Sequence, residues 1–288
     1  MIAIFKRELR SYFNSMVGFL FVSLLLVFTG IFFTNFNLLG GFAAFEYALE
    51  SANTVFLLAV PILTMRTFAE DKKNKTDKLL FSLPIPLSRI MLGKYLAMLA
   101  VLLIPTAIFA LYPLILSAFG TVNFGSAYAC LLAFFLLGAA LISICTFLSF
   151  LADSQITAAI ISFGAMLFLY MANGVAGMIP ETAIVSLIGV LLLEAIAALA
   201  AFFLTKNKII TAAVGTILAL PTLILYFSKA ALFSGLIPAL LSELSLFDRF
   251  KLFSYGILDV TTMVLYLSVS VFCVLLTGIA AEKKHMNS

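Results

Sequence analysis

The sequence predicts an all-α polytopic membrane protein, from a mean hydropathy of +1.21, thirty Phe residues and long unbroken apolar runs. A hydrocarbon core of ~30 Å needs about twenty apolar residues from a helix that rises 1.5 Å per residue. A β-barrel would instead show segments of about ten residues alternating apolar and polar, a pattern the chain lacks.

Eight spans follow from the apolar runs: 16–36, 48–66, 94–119, 127–152, 156–178, 182–205, 209–228 and 260–281. Polar cuts at Asp153-Ser154-Gln155 and at Lys206-Asn207-Lys208 divide runs that would otherwise far exceed a bilayer. With both termini on one side, fourteen of the seventeen basic residues share that side, and only Lys229, Arg249 and Lys251 face the other. The positive-inside rule then makes the termini and the loop after the second span cytoplasmic, in a multi-pass protein of the cell's inner or plasma membrane. No Trp is present to form an interfacial belt, so Tyr12, Tyr47, Tyr95, Tyr128 and Tyr170, near span ends, are read as the interfacial anchors. The whole chain, 1–288, reads as a single transmembrane domain.

Three peripheral segments stand apart. In IAIFKRELRSYFN, residues 2–14, Ile2, Phe5, Leu9, Tyr12 and Phe13 recur at helical spacing, while Lys6, Arg7, Glu8 and Arg10 face the other way. That pattern describes a helix lying in the headgroup plane; the alternative is a basic flank that only fixes orientation. The start is basic and precedes an apolar run, as a signal peptide does, but the run is too long for an h-region and no small-residue cleavage site follows, so it is expected to be retained.

The second segment, 67–93, lies in the stretch 66–94 that holds ten of the chain's thirty charges. Thr76 suits a helix N-cap, Asp77 suits the positive end of the dipole, and Pro84 disfavours helix at Leu83. The result is a short stub with an apolar edge of Leu79, Leu80 and Leu83, which serves either as a docking element for a soluble partner or as a helix packed on its own bundle or on lipid. In the third segment, 229–259, Gly235 and Pro238 break the helix, and Leu246, Phe247, Phe250 and Phe253 form an aromatic face opposite Asp248, Arg249 and Lys251. This segment reads as extracellular short helices, re-entrant or lying on the outer leaflet.

Chemistry within the chain is scarce. The sole histidine is His285, and neither HExxH nor GxSxG occurs. Gly93-Lys94 lacks the earlier glycine and the following hydroxyl residue of a phosphate loop, so any ATP would be bound by another chain. Cys130, Cys145 and Cys273 fall inside spans without a disulfide or metal spacing. No catalytic, cofactor-binding or metal residue is therefore expected, and the net charge of +4, spread over loops, does not point to nucleic acid. Glu194 stands midway along the sixth span, where a carboxylate is either a neutral acid hydrogen-bonded to a neighbouring helix or a proton site. The second role would make the chain an ion-coupled secondary transporter; a third reading is a non-transporting membrane anchor for a soluble partner.

KRELRSYFNS before the first span, AEDKKNKTDKLLFSLPI leading to IMLGK, LADSQITAAI, and LSLFDRFKLFSYGILD before a last span with Tyr266 form a set. Together they resemble the permease subunits of ABC-2-type ABC transporters, and in particular the permease associated with gliding-motility ABC transporters. The resemblance implies an exporter subunit paired with itself or a related permease and driven by two copies of a separate ABC ATPase, which bind the ATP and Mg. It makes 1–15 an elbow helix, with Glu8 at its acidic position and Met16 in place of the usual proline. A coupling helix for the ATPase would run from about Asp71 to Leu83; Thr76, Leu79, Leu80 and Pro84 match its pattern, while Lys75 replaces a common glycine and Lys78 a common glutamate. Relatives of this type have six spans, so 180–228, including Glu194, reads as a two-helix addition.

Overall fold

The computed structural model describes residues 2–73, 87–205, 221, 222, 224–226 and 228–286. Among them every regular element is helical: α1 Ile2–Asn14, α2 Met16–Phe33, α3 Glu46–Asn53, α4 Phe56–Thr64, α5 Arg66–Lys73, α6 Leu87–Phe109 and α7 Tyr112–Ser117. Then follow α8 Phe124–Leu151, α9 Gln155–Ala176, α10 Ala183–Thr205, α11 Leu236–Leu244, α12 Leu246–Arg249, α13 Lys251–Ser254 and α14 Val260–Met286.

Five stretches are long and apolar enough to cross a bilayer: Met16–Leu39, Leu87–Ser117, Phe124–Leu151, Gln155–Ala176 and Val260–Lys283. The predicted second span is not one straight helix. Glu46–Asn53 and Phe56–Glu70 meet at a 56° bend, and as one broken span they make a sixth crossing. At the bend the backbone tightens, with Thr54 N–H bonded to Ser51 O and Val55 N–H to Ala52 O. Pro61, inside α4, also leaves the Leu57 carbonyl without its helical donor. The predicted sixth span is helical as α10, and most of the seventh, 209–228, lies outside the described residues. Of the eight spans expected, the described residues thus give five, or six with the broken one.

Three helix starts carry side-chain caps. Asn123 accepts from the Ser126 N–H ahead of α8. Ser154 and Thr157 exchange bonds before α9, Ser154 N–H to the Thr157 hydroxyl at 3.1 Å and Thr157 N–H to the Ser154 hydroxyl at 3.2 Å, which places the turn at the predicted polar cut. Asp259 caps α14 by accepting from the Thr261 and Thr262 N–H groups, and its bond from the Thr262 hydroxyl holds the carboxyl below its usual range.

The contacts divide the chain into two units, Met1–Phe168 with Leu246–Ser288, and Leu169–Ser245. In the first, α8 is the central element and packs on α3, α4, α5, α6 and α14. Its small residues allow that approach: a Cβ on Gly138 would lie 2.8 Å from Leu102 Cδ2 and 3.0 Å from Phe56 Cζ. Phe134 stacks within 4.6 Å of Phe56 and meets Phe250 at 6.1 Å, so the aromatic face predicted for the closing segment is buried here, with Leu246, Phe247 and Phe253. Tyr266 donates to the Leu246 carbonyl at 2.8 Å and ties α14 to α12. In the second unit, Gly189 leaves room for Ile237, and Gly235, with φ of +72°, donates its N–H to the Glu181 carbonyl.

Tyr12 and Tyr95, expected as interfacial anchors, are buried and hydrogen-bonded instead, Tyr12 to Thr67 and Tyr95 to the Ala139 carbonyl. Each hydroxyl finds a protein partner, so neither needs the headgroup layer. Cys130 and Cys145 are buried free thiols, and Cys273 is a half-buried one.

The junction of α1 with α2 turns on Gly18. A Cβ there would lie 2.7 Å from the Tyr12 carbonyl oxygen, a backbone atom that cannot swing aside. Gly18→Ala is expected to destabilise the fold by about 1–3 kcal/mol through this overpacking. Gly30→Ala, whose nearest neighbour would be Tyr112 Oη at 3.9 Å, should be neutral or slightly stabilising. Thermal unfolding followed by maleimide labelling of the buried Cys130 and Cys145 distinguishes the two; equal midpoints would remove Gly18 from this role.

Candidate functional site

The polar centre of the first unit gathers where α1, α5 and α6 meet. Lys94, expected as the first residue of the third span and counted with the loop charges, lies two turns inside α6, which begins at Leu87, and it is only 2% exposed. Its Nζ donates to the Thr67 carbonyl at 2.8 Å, sits 3.3 Å from Glu8 Oε1 and lies 5.3 Å from the centre of the Phe68 ring. One ammonium therefore holds a carboxylate from α1, a carbonyl from α5 and an aromatic face from α5.

A second layer fixes these partners. Glu8 Oε1 also accepts from Arg7 at 2.5 Å. The Tyr12 hydroxyl meets Thr67 Oγ1 at 3.0 Å, and Thr67 Oγ1 lies 3.4 Å from Met98 Sδ on α6. Burial raises the Tyr12 hydroxyl far above the ordinary tyrosine range, so it stays a neutral hydrogen-bonding group. Arg66 grips Glu70 one turn on with both guanidinium arms, Nη2 to Oε1 at 2.7 Å, which stiffens α5. Nearby, Phe68, Met91, Phe150 and Ala281 form an apolar cluster that joins α5, α6, α8 and α14.

The candidates from sequence fall into three groups. Lys6, Arg7 and Arg10 are on the exposed side of α1, as expected, but Glu8 is turned inward at 12% side-chain exposure to meet Lys94. Asp71 falls within α5, whereas Thr76, Leu79, Leu80, Leu83 and Pro84 lie outside the described residues. The helices α5 and α6 occupy both ends of the predicted loop 67–93, so the undescribed part is 74–86. Glu194 belongs to the second unit, half-buried, and accepts from Thr222 Oγ1 at 3.4 Å. Lys94, Thr67 and Met98 were missed by sequence reasoning. The available signal was Lys94 itself, a lone cation flanked by IMLG and YLAML.

These features define the class first: a multi-pass helical membrane protein with an amphipathic N-terminal helix locked to its bundle. Residues 4–176 match the family described as ABC-2 family transporter protein, and the chain belongs to that family. The match supports an ABC-2 permease and not the gliding-motility branch. Membrane components of this family are generally non-catalytic, and membership implies an ABC ATPase partner in general terms. No match to the chain was found among curated proteins or among solved structures.

A buried charge that loses its partner is costlier than a pair replaced whole. Glu8→Gln, which removes a carboxylate 3.3 Å from the Lys94 ammonium, is expected to cost about 1–3 kcal/mol. Lys94→Met should cost less, because Glu8 keeps Arg7, and Glu8→Gln with Lys94→Met should recover much of the loss. A double-mutant cycle on thermal or denaturant unfolding measures this; strict additivity would mean that the pair is not coupled.

Proposed function

We propose that this chain is the membrane permease of an ATP-driven ABC exporter, powered by a separate pair of ATPase subunits that dock on the cytoplasmic loop 67–93. The observation that carries the reading is the Lys94 clamp. The two helices that flank residues 74–86, α5 and α6, are tied to each other and to α1 through one buried ammonium. A force applied to the loop would reach α5 and α6 together and carry α1 with them, rather than bending one helix alone. ATP-driven closure of the ATPase pair would in this way bias the helical bundle between two arrangements, the loop transmitting the difference in ATP affinity between them.

The permease would work as a dimer with itself or a related permease, with both termini cytoplasmic, in the inner membrane. Within it, 180–228 acts as an addition to a six-span core, a reading supported by the separate clustering of Leu169–Ser245. Likeness to the gliding-motility branch rests on the sequence stretches alone. The substrate remains at the level of an apolar or amphiphilic molecule, since the exposed helix faces are apolar.

In a mild-detergent pull-down of the tagged chain from its native membranes, an ATPase with a phosphate-binding loop is expected to co-purify. Leu79→Asp with Leu80→Asp should lose it while the permease stays monodisperse. If the ATPase is absent from well-folded wild type, or remains on the double variant, docking through this loop is wrong.

A further inference from the structure

Outside the Lys94 clamp, the strongest charged feature is a cavity of about 540 Å³ lined by Lys6, Arg7, Arg10, Ser11 and Asn14 of α1 and by Arg66 at the start of α5. Four cations face one space. Arg7 is paired with Glu8, and Arg66 with Glu70. Among the described residues no carboxylate pairs with Lys6 or Arg10. Lys6 and Arg10 are four residues apart, and Arg7 and Arg10 three, spacings at which like charges destabilise a helix. An anion held between them would offset that repulsion. The cavity is suited to phosphate: two-pronged guanidinium donors, an ammonium, and the neutral donors Ser11 and Asn14 for ester or glycerol oxygens.

The surroundings decide which phosphate. Immediately after Asn14 and Ser15 the chain enters α2, whose first turns expose Met16 at 84%, Phe19 at 59% and Leu20 at 41%. Phe13 packs edge-on against Phe19, so the apolar side of α1 runs on into that surface. Free phosphate would account for the cations but not for an apolar surface that continues from the same helix junction. A lipid accounts for both, with its headgroup on the cations and its acyl chains along α2.

We propose that this cavity is a binding site for the headgroup of an anionic glycerophospholipid, whose acyl chains lie on the Met16–Phe19–Leu20 face of α2. The site belongs to the permease itself and does not depend on ATPase coupling. Bound lipid would hold α1 in the headgroup layer and so support the position of Glu8 beside Lys94.

The test uses the full-length chain in neutral detergent, with lipid binding measured by native mass spectrometry against phosphatidylglycerol, phosphatidylcholine and inorganic phosphate. Phosphatidylglycerol is expected to bind more tightly than phosphatidylcholine. Lys6→Ala with Arg10→Ala should weaken it by about twenty-five-fold, at about fivefold for each cation removed beside an anionic lipid. Both positions are exposed, so the variant should unfold at the wild-type temperature, reported by the buried thiols. Lys283→Ala, which removes an exposed cation outside the cavity, should leave binding within twofold. Equal binding of the two lipids overturns the proposal. So does displacement of phosphatidylglycerol by inorganic phosphate at matched concentration, which would make this a free-anion site, or an equal loss in Lys283→Ala, which would make the attraction diffuse. An unchanged affinity in the double variant, or a fall in its unfolding temperature that accounts for the loss, also overturns it.

Discussion

A single ammonium buried between three helices sets the arrangement of the N-terminal half. Moving a lysine out of water costs several kcal/mol after relaxation, and the cost is met only if its hydrogen bonds and opposite charge are supplied in place. Here they come from two other helices: Glu8 on α1, and the Thr67 carbonyl and Phe68 ring on α5. None of these partners is local to α6, so each contact forms only when α1 or α5 is seated against it. An amphipathic helix whose contact with its own chain were purely apolar would have no such preference for register, since lipid tails are as apolar as the bundle.

The rest of the unit is arranged around that requirement. Gly18 lets the start of α2 approach the Tyr12 carbonyl, and this sets how α1 leaves the first span. Tyr12 then reaches Thr67, and Thr67 presents its carbonyl to Lys94 while its hydroxyl lies against Met98. One short segment of α5 thus touches α1 through a side chain and α6 through both backbone and side chain. Further along, Phe68 packs edge-on against Phe150 at 5.5 Å, so the same segment is also held by α8, the central helix.

Much of the fold was legible in the sequence because hydrocarbon imposes its own grammar. Among the described residues the first, fourth, fifth and sixth runs and the amphipathic start were read within a few residues of the observed helices, the third began seven residues earlier than expected, and the α9 start at Ser154-Gln155 followed from its polar cut. What was not legible depends on tertiary partners. In a loop Lys94 would be a solvated charge, and nothing within its own helix says that a carboxylate near the N-terminus awaits it. Tyr12 and Tyr95 sit where interfacial anchors would, and only their bonds to Thr67 and Ala139 show otherwise. The bend between α3 and α4 falls at a polar stretch, Glu50-Ser51 with Asn53-Thr54, but polar residues near the end of an apolar run read equally well as a helix terminus, so the expected span 48–66 ran straight through them.

The misreading of Lys94 also bears on orientation. Removing it from the loop count leaves thirteen of the seventeen basic residues on the side assigned to the cytoplasm, so the positive-inside argument keeps its direction. The meaning of the lysine changes more than the tally does. As a loop charge it would only have added to the bias that orients the chain. As a buried charge, with its Nζ against Thr67 and Glu8, it acts in the folded state, and a neutral side chain of similar length in its place would leave the orientation bias nearly intact while removing one of the ties that hold α1. The orientation argument and the architecture therefore rest on different subsets of the same basic residues: the loop charges carry the positive-inside expectation, and the buried lysine ties α1, α5 and α6 together.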